Sequence, residues 1–188
     1  DNRLIHAVFE GTGMGSDVKL AAEIINKATL PVVINKAEIT SKTINLNDFI
    51  SGLSRFSKAN KSTDPTAKQE MLLSPVDFEI KSGKFSAKEI YYNNVKAQNF
   101  QGNFKHTKDG VFAFNDVMFD IAGGKIRTNG SYEFDTTQFT INSEIENCDA
   151  NTLVTDILGT KNQIFGKTNG KINLTGRQLN TSNGINTV

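Results

Sequence analysis

The sequence predicts a mostly β fold: a curved antiparallel sheet, groove-like or sandwich-like, carrying two short amphipathic helices. Three observations predict it. Apolar residues alternate with polar ones in short runs along most of the chain, the period-two signature of half-buried strands. Clusters of Gly, Asn, Asp, Ser and Thr separate those runs while Pro is scarce, at 3 residues, which suits strands joined by polar turns. Only two stretches switch to a helical period.

The elements follow in order. Leu4 to Phe9 is an apolar run broken at His6. Val18, Leu20, Ala22 and Ile24 alternate with polar or small residues. Leu30 to Ile39 is a third strand, entered through Pro31 as a strand start or edge allows. Leu46, Phe49, Ile50, Leu53 and Phe56 then fall on one helical face, with Asn47 placed as N-cap. Residues 57–70 (SKANKSTDPTAKQE) hold no large apolar side chain and read as a mobile polar linker.

The strand pattern resumes at Leu72. Val76, Phe78 and Ile80 alternate and Gly83 turns the chain. Phe85, Ala87 and the Ile90-Tyr91-Tyr92 cluster follow, then Val95, Ala97, Phe100, Gly102 and Phe104. Lys108-Asp109-Gly110 is a hairpin turn. Phe112 and Phe114 have the opposite parity to Val117, Phe119 and Ile121, which implies a β-bulge near Asn115-Asp116. Gly123-Gly124 turns into a strand through Ile126, Thr128, Gly130, Tyr132 and Phe134. Asp135-Thr136-Thr137 turns again into Phe139, Ile141, Ser143 and Ile145. Asp149 caps a second helix with Leu153, Val154, Ile157 and Leu158 as its stripe and Gly159 as its stop. A Gly-spaced strand follows.

The organisation reads as 1–56, N-terminal strands plus the first helix; 57–71, the linker; and 72–188, the sheet with the second helix, with 1–56 and 72–188 open to being one continuous domain. Each helix follows a strand that ends in an Asn/Asp-rich turn, an approximate repeat of about one hundred residues.

Charge narrows the function classes. The 21 Lys and Arg are interspersed with 20 Asp and Glu for a net +1, so there is no basic stripe for nucleic acid. No apolar run is long enough to span a bilayer. The chain opens on Asp1 without a signal-peptide pattern and reads as a fragment of a longer protein. Cys148 is the only cysteine, which rules out an internal disulfide, and it reads as a small buried apolar group.

The sharper chemical readings are weak. Gly11-Thr-Gly-Met-Gly lacks the third glycine of a dinucleotide fingerprint and the Lys of a phosphate loop, so it reads as a turn. His6 and His106 read as surface histidines without carboxylate partners for a metal. Asp116 and Asp120 read as a solvated pair rather than an acid–base couple. We therefore expect no enzyme activity, cofactor or metal. The 13 Phe leave two readings open. They fill the core of a closed sandwich, or some of them line an open groove that accepts acyl chains.

The strand-to-helix segment from Ile44 to Phe56 and the polar linker are followed by Phe78-Glu-Ile-Lys-Ser-Gly-Lys-Phe, Asp109-Gly-Val-Phe-Ala-Phe, Phe119-Asp-Ile-Ala-Gly-Gly-Lys-Ile-Arg-Thr-Asn-Gly, Asn147-Cys-Asp-Ala-Asn-Thr-Leu-Val and Phe165-Gly-Lys-Thr-Asn-Gly-Lys-Ile-Asn-Leu-Thr-Gly. In that order these segments resemble the C-terminal region of the AsmA family of bacterial envelope proteins, over about residues 40–176. Order and spacing carry the likeness. The chain departs from the family in its wealth of Asn and Lys and in stopping soon after Gly176, where the family continues with more strands. The resemblance implies an inner-membrane-anchored protein with a periplasmic part, related to TamB- and YhdP-like proteins. It further implies a role in outer-membrane biogenesis, with phospholipid acyl chains as ligands carried on an apolar β-groove. Groove candidates are then Phe112, Phe114, Val117, Phe119, Ile121, Ile126, Phe134, Phe139 and Ile141. Other envelope proteins are expected partners, the membrane is reached through segments outside this chain, and a protein- or glycan-binding sandwich is the alternative.

Overall fold

A computed structural model describes residues 3–48, 51, 77–158 and 164–177. Nine strands form one mixed sheet that does not close on itself. In chain order they are β1 (Leu4–Gly13), β2 (Ser16–Ile25), β3 (Val32–Asn45), β4 (Phe78–Tyr92), β5 (Val95–His106), β6 (Val111–Ile121), β7 (Gly124–Glu133), β8 (Gln138–Asp149) and β9 (Lys167–Arg177). Their order in the sheet is their order in the chain. The chain is helical at residues 46–48 and 51 (α1) and over Ala150–Leu158 (α2).

All neighbouring strands pair antiparallel except one pair. β3 and β4 run parallel, with Val32 opposite Phe78 and Asn45 opposite Tyr91. The expected mostly antiparallel sheet is thus present, with one parallel pair in it. A parallel neighbour needs a long crossover, and residues 46–77 supply one. The expected linker, 57–71, lies outside the described residues, as do Val76, the helical stripe 49, 50, 53 and 56, and Gly159.

Three hairpins are tight for a readable reason. Met14 and Gly15, at φ 52° and 64°, close β1 onto β2, so the glycine-rich Gly11–Gly15 stretch is a turn. Ala122 and Gly123, at φ 50° and 69°, close β6 onto β7. Both are left-handed pairs that match the strand twist. The turn expected at Gly123-Gly124 is thus shifted by one residue, because Gly124 already pairs with Ile121. Gly110, at φ 72°, completes the turn after Lys108-Asp109.

Bulges employ several of the Asn residues. Asn99, Asp116 and Asn147 have φ of 53°, 53° and 54° and sit at register breaks between Gln98 and Gln101, Phe114 and Val117, and Ile145 and Cys148. A bulge leaves a backbone N–H outside the ladder. Asn129 Oδ1 accepts the N–H of Asp116 at 2.8 Å, and Asn169 Oδ1 accepts that of Asn147 at 2.9 Å. The bulge expected at Asn115-Asp116 is therefore present. It brings Phe112 and Phe114 onto the same face as Val117, Phe119 and Ile121.

Gly83 does not turn the chain. It lies within β4, where the register shifts between Ile80 and Gly83. A Cβ there would stand 2.4 Å from the Phe104 ring, so the glycine is a seat for an aromatic side chain. The cap of α1 is also displaced: Asn45 Oδ1 accepts the N–H groups of Asn47 and Asp48 at 3.1 and 3.3 Å. Asn47 is already helical, and its own Oδ1 accepts the N–H of Asn93. Asp149 caps α2 as expected, taking the Thr152 N–H at 2.8 Å and its hydroxyl at 2.7 Å. Both helices thus spring from the last residue of a strand, Asn45 or Asp149. The chain then returns parallel after α1 and antiparallel after α2.

Candidate functional site: an apolar sheet face

Register and alternation sort the side chains onto two faces. One face collects Leu20, Ile39 and Phe85, which are successive cross-strand partners. Phe112 with Tyr132, Phe119 with Ile126, Ile126 with Ile145 and Ile141 with Leu174 continue it through β6 to β9. The opposite face carries Glu10, Lys19, Glu38, Lys84, Arg127 and Glu144. There, Lys19 meets Glu10 at 2.6 Å and Lys171 meets Glu144 at 2.7 Å, each directly across the ladder.

Aromatic rings run unbroken across the middle of the apolar face. Phe119 contacts Phe100 (centroids 5.3 Å), Phe100 contacts Phe85 (5.2 Å), Phe85 contacts Phe104 (6.1 Å) and Phe104 contacts Phe112 (5.9 Å). These offset contacts are favourable for rings. Two of these five rings, and two further rings on the face, lie over a glycine of the neighbouring strand. Phe85 is opposite Gly102, and Gly83 opposite Phe104. Phe114 is opposite Gly130 and Phe139 opposite Gly176. A Cβ on any of the four glycines would come within 2.7 Å of the ring it faces. The sequence shows this device as Gly83-Lys-Phe85 and Gly102-Asn-Phe104, a glycine two residues before a Phe in each of two adjacent strands. Sequence reasoning missed it by treating Gly83 as a turn.

All nine sequence candidates fall on this face or at its end. Val117 and Ile121 are buried, at 3% and 7% exposure. Phe112, Phe114, Phe119, Ile126, Phe139 and Ile141 are half-buried. Phe134 follows β7 and is 40% exposed, edge-on to Tyr132 and to His106. The face also includes Phe85, Phe100 and Phe104, and at its outer strand Ile172 and Leu174, which are 43% and 50% exposed. Among the described residues no second sheet faces these rings. Polar groups on this face include Thr128 and Ser143, whose hydroxyls bond to each other at 2.8 Å, Tyr132 and the buried His106.

His106 is the clearest departure from sequence expectation. It is not a surface histidine but the most buried polar side chain described, at 1% exposure. Phe78 stacks on it at 4.2 Å, and its Nδ1 lies 3.1 Å from the Phe78 carbonyl oxygen. A carbonyl only accepts, so Nδ1 carries a proton, and Nε2 has no hydrogen-bond partner among the described residues. His6, by contrast, is exposed. Cys148 is fully buried, and burial pushes its thiol up from the ordinary range, as expected of a small packed group and not of a nucleophile.

The carboxylates serve the scaffold. Backbone N–H groups of Thr43 and Lys42 hold Asp17 below the usual carboxylate range. Lys96 and the Tyr91 hydroxyl do the same for Glu89. Asp116 and Asp120 take separate amide donors, Asn103 and Asn115 for the first and Asn99 for the second. Among the described residues no three His, Cys, Asp or Glu side chains cluster as a metal site would need. No helix described is long and apolar enough to cross a membrane. The chain matches no family model, no curated protein and no solved structure.

Proposed function

We propose that the ring-lined face binds phospholipid acyl chains, and that this chain is a non-enzymatic periplasmic segment of an AsmA-like, inner-membrane-anchored protein supporting outer-membrane biogenesis. The observation that carries this is the unbroken run of five contacting rings, Phe119 to Phe112, on a single open sheet. A flexible hydrocarbon chain suits such a surface, which offers a broad apolar area with few polar groups. Large apolar faces on secreted or soluble chains call for a partner. The rival reading, a sandwich that binds protein or glycan, needs a second layer over the rings.

Phe119→Glu tests the proposal. The side chain is half-buried, at the end of the ring row beside Ile126. We expect the variant to fold, to lose photocrosslinking to a lipid probe introduced at β6, and to yield no co-extracted lipid by mass spectrometry where the parent chain does. Envelope permeability should rise in cells carrying it. Unfolding of the variant would assign Phe119 to a closed core and favour the sandwich. A folded variant with unchanged lipid yield would remove the best residue of the groove reading.

A further inference from the structure

The polar face carries a concavity of its own. A trough of about 880 Å³ crosses β1 to β5, floored by Thr40, Ser86 and Gln101 and flanked by Lys19, Lys42 and Lys88. Lys19, Thr40, Ser86 and Gln101 are successive register partners. An ammonium, two hydroxyls and an amide thus stand in one row across four strands, on the side opposite Leu20, Ile39 and Phe85.

The charges in the trough are unequally matched. Glu10 neutralises Lys19 at 2.6 Å. Asp17 also lines the trough, but its carboxylate is taken by the Ser41 hydroxyl and the backbone N–H groups of Lys42 and Thr43. Lys42 and Lys88 occupy neighbouring positions on the parallel pair, between Ser41–Ala87 and Thr43–Glu89. Both are exposed, and neither has a carboxylate within ion-pair distance among the described residues. Like charges side by side on adjacent strands repel. Elsewhere on this face Lys19, Lys36, Lys96 and Lys171 each pair with an acid, and Lys84 and Lys125 stand across the ladder from Glu38 and Glu146. A dianion between Lys42 and Lys88 would complete the pattern, and lysine serves phosphate well as a point charge. The trough is far larger than one phosphate and lies in the range of roughly 300–1,000 Å³ that holds an organic ligand. Its row of hydroxyls and amide matches the donors and acceptors of a sugar ring.

We propose that this trough binds a phosphate-bearing saccharide, with the phosphate on Lys42 and Lys88 and the sugar hydroxyls on Thr40, Ser86 and Gln101. The site lies on the face opposite the acyl-chain surface and does not depend on it. Amide chemical shifts of the full chain, titrated in turn with glucose 6-phosphate, glucose and inorganic phosphate, test the assignment. Saturable shifts at Thr40, Ser86 and Gln101 are expected with glucose 6-phosphate, at an affinity about tenfold or more above that for either fragment. They should vanish in Lys42→Gln/Lys88→Gln and persist in Lys108→Gln, which lies in the β5–β6 turn. Lys88→Gln alone, expected to weaken binding severalfold, serves if the double variant melts early. Equal response to inorganic phosphate would mean a counterion site only and overturn the proposal. So would absence of saturation, or binding unchanged in the lysine variants.

Discussion

Gly130 is a residue whose role is set by a neighbour on another strand. A Cβ there would stand 2.4 Å from the Phe114 ring and 2.4 Å from the Thr140 carbonyl oxygen, and the carbonyl cannot retreat without disturbing the ladder. Gly130→Ala should destabilise by about 1–3 kcal/mol, as overpacking does. Urea unfolding checks this, and a midpoint equal to that of the parent would contradict the ring-over-glycine reading. Asp149 acts through its charge and its cap. Its carboxyl is held low by the hydroxyl and N–H of Thr152, so its folded value lies below its unfolded one. The stabilisation is present above the unfolded value, about 3.9, and disappears as pH falls through the depressed folded value. Asp17 follows the same sign. The melting temperature should therefore decline below about pH 4, and less steeply in Asp149→Asn, which keeps an oxygen acceptor but no titratable charge. An equally steep decline in both would assign the acid sensitivity elsewhere. His106 was legible in part: Gly102, Phe104 and His106 share one parity, and that parity faces the rings. The nearby Lys105 and Lys108 masked it.

Elements divide by how much of their stability is local. The bulge at Asp116 was readable from a parity change between Phe114 and Val117, because one extra residue is the only way both sets face one side. The helix α2 was readable from its cap, yet its packing was not. Leu153 is half-buried, and of the described strands α2 packs chiefly, and lightly, against β8, from which it grows. Leu153→Ala should therefore cost about 1–2 kcal/mol, less than the 2–5 kcal/mol of a fully buried leucine. Thermal melts decide, and a larger loss would show that α2 anchors more of the molecule. The parallel pairing of β3 with β4 left no local mark. Period-two alternation is identical for parallel and antiparallel neighbours on a sheet with one polar face, so direction is set by the path between the strands.

At the scale of the whole molecule, a sheet that does not close leaves edges. On β1, Val8 and Phe9 are 66% and 63% exposed, and an apolar edge strand is a template for another strand. Val8→Lys should reduce concentration-dependent association, seen as a smaller shift in sedimentation coefficient across a dilution series. A parent chain that is monodisperse throughout that series would refute the prediction. The two faces divide the molecule's chemistry: rings over glycines on one, matched ion pairs and the lysine trough on the other.

The sequence by itself determined most of the strands, the turns at Gly11–Gly15 and Lys108-Asp109-Gly110, the Asp149 cap, and the Asp116 bulge with the shared face it gives Phe112, Phe114, Val117, Phe119 and Ile121. Those features depend on backbone conformation and on alternation, which neighbouring residues in the chain control. Tertiary structure alone decided which Phe lies over which glycine, that Lys42 and Lys88 are neighbours, and that His106 is enclosed by Phe78 and Phe134. Each of these is a contact between strands distant in sequence, fixed by register, and register is set by the summed packing of the sheet rather than by any one segment.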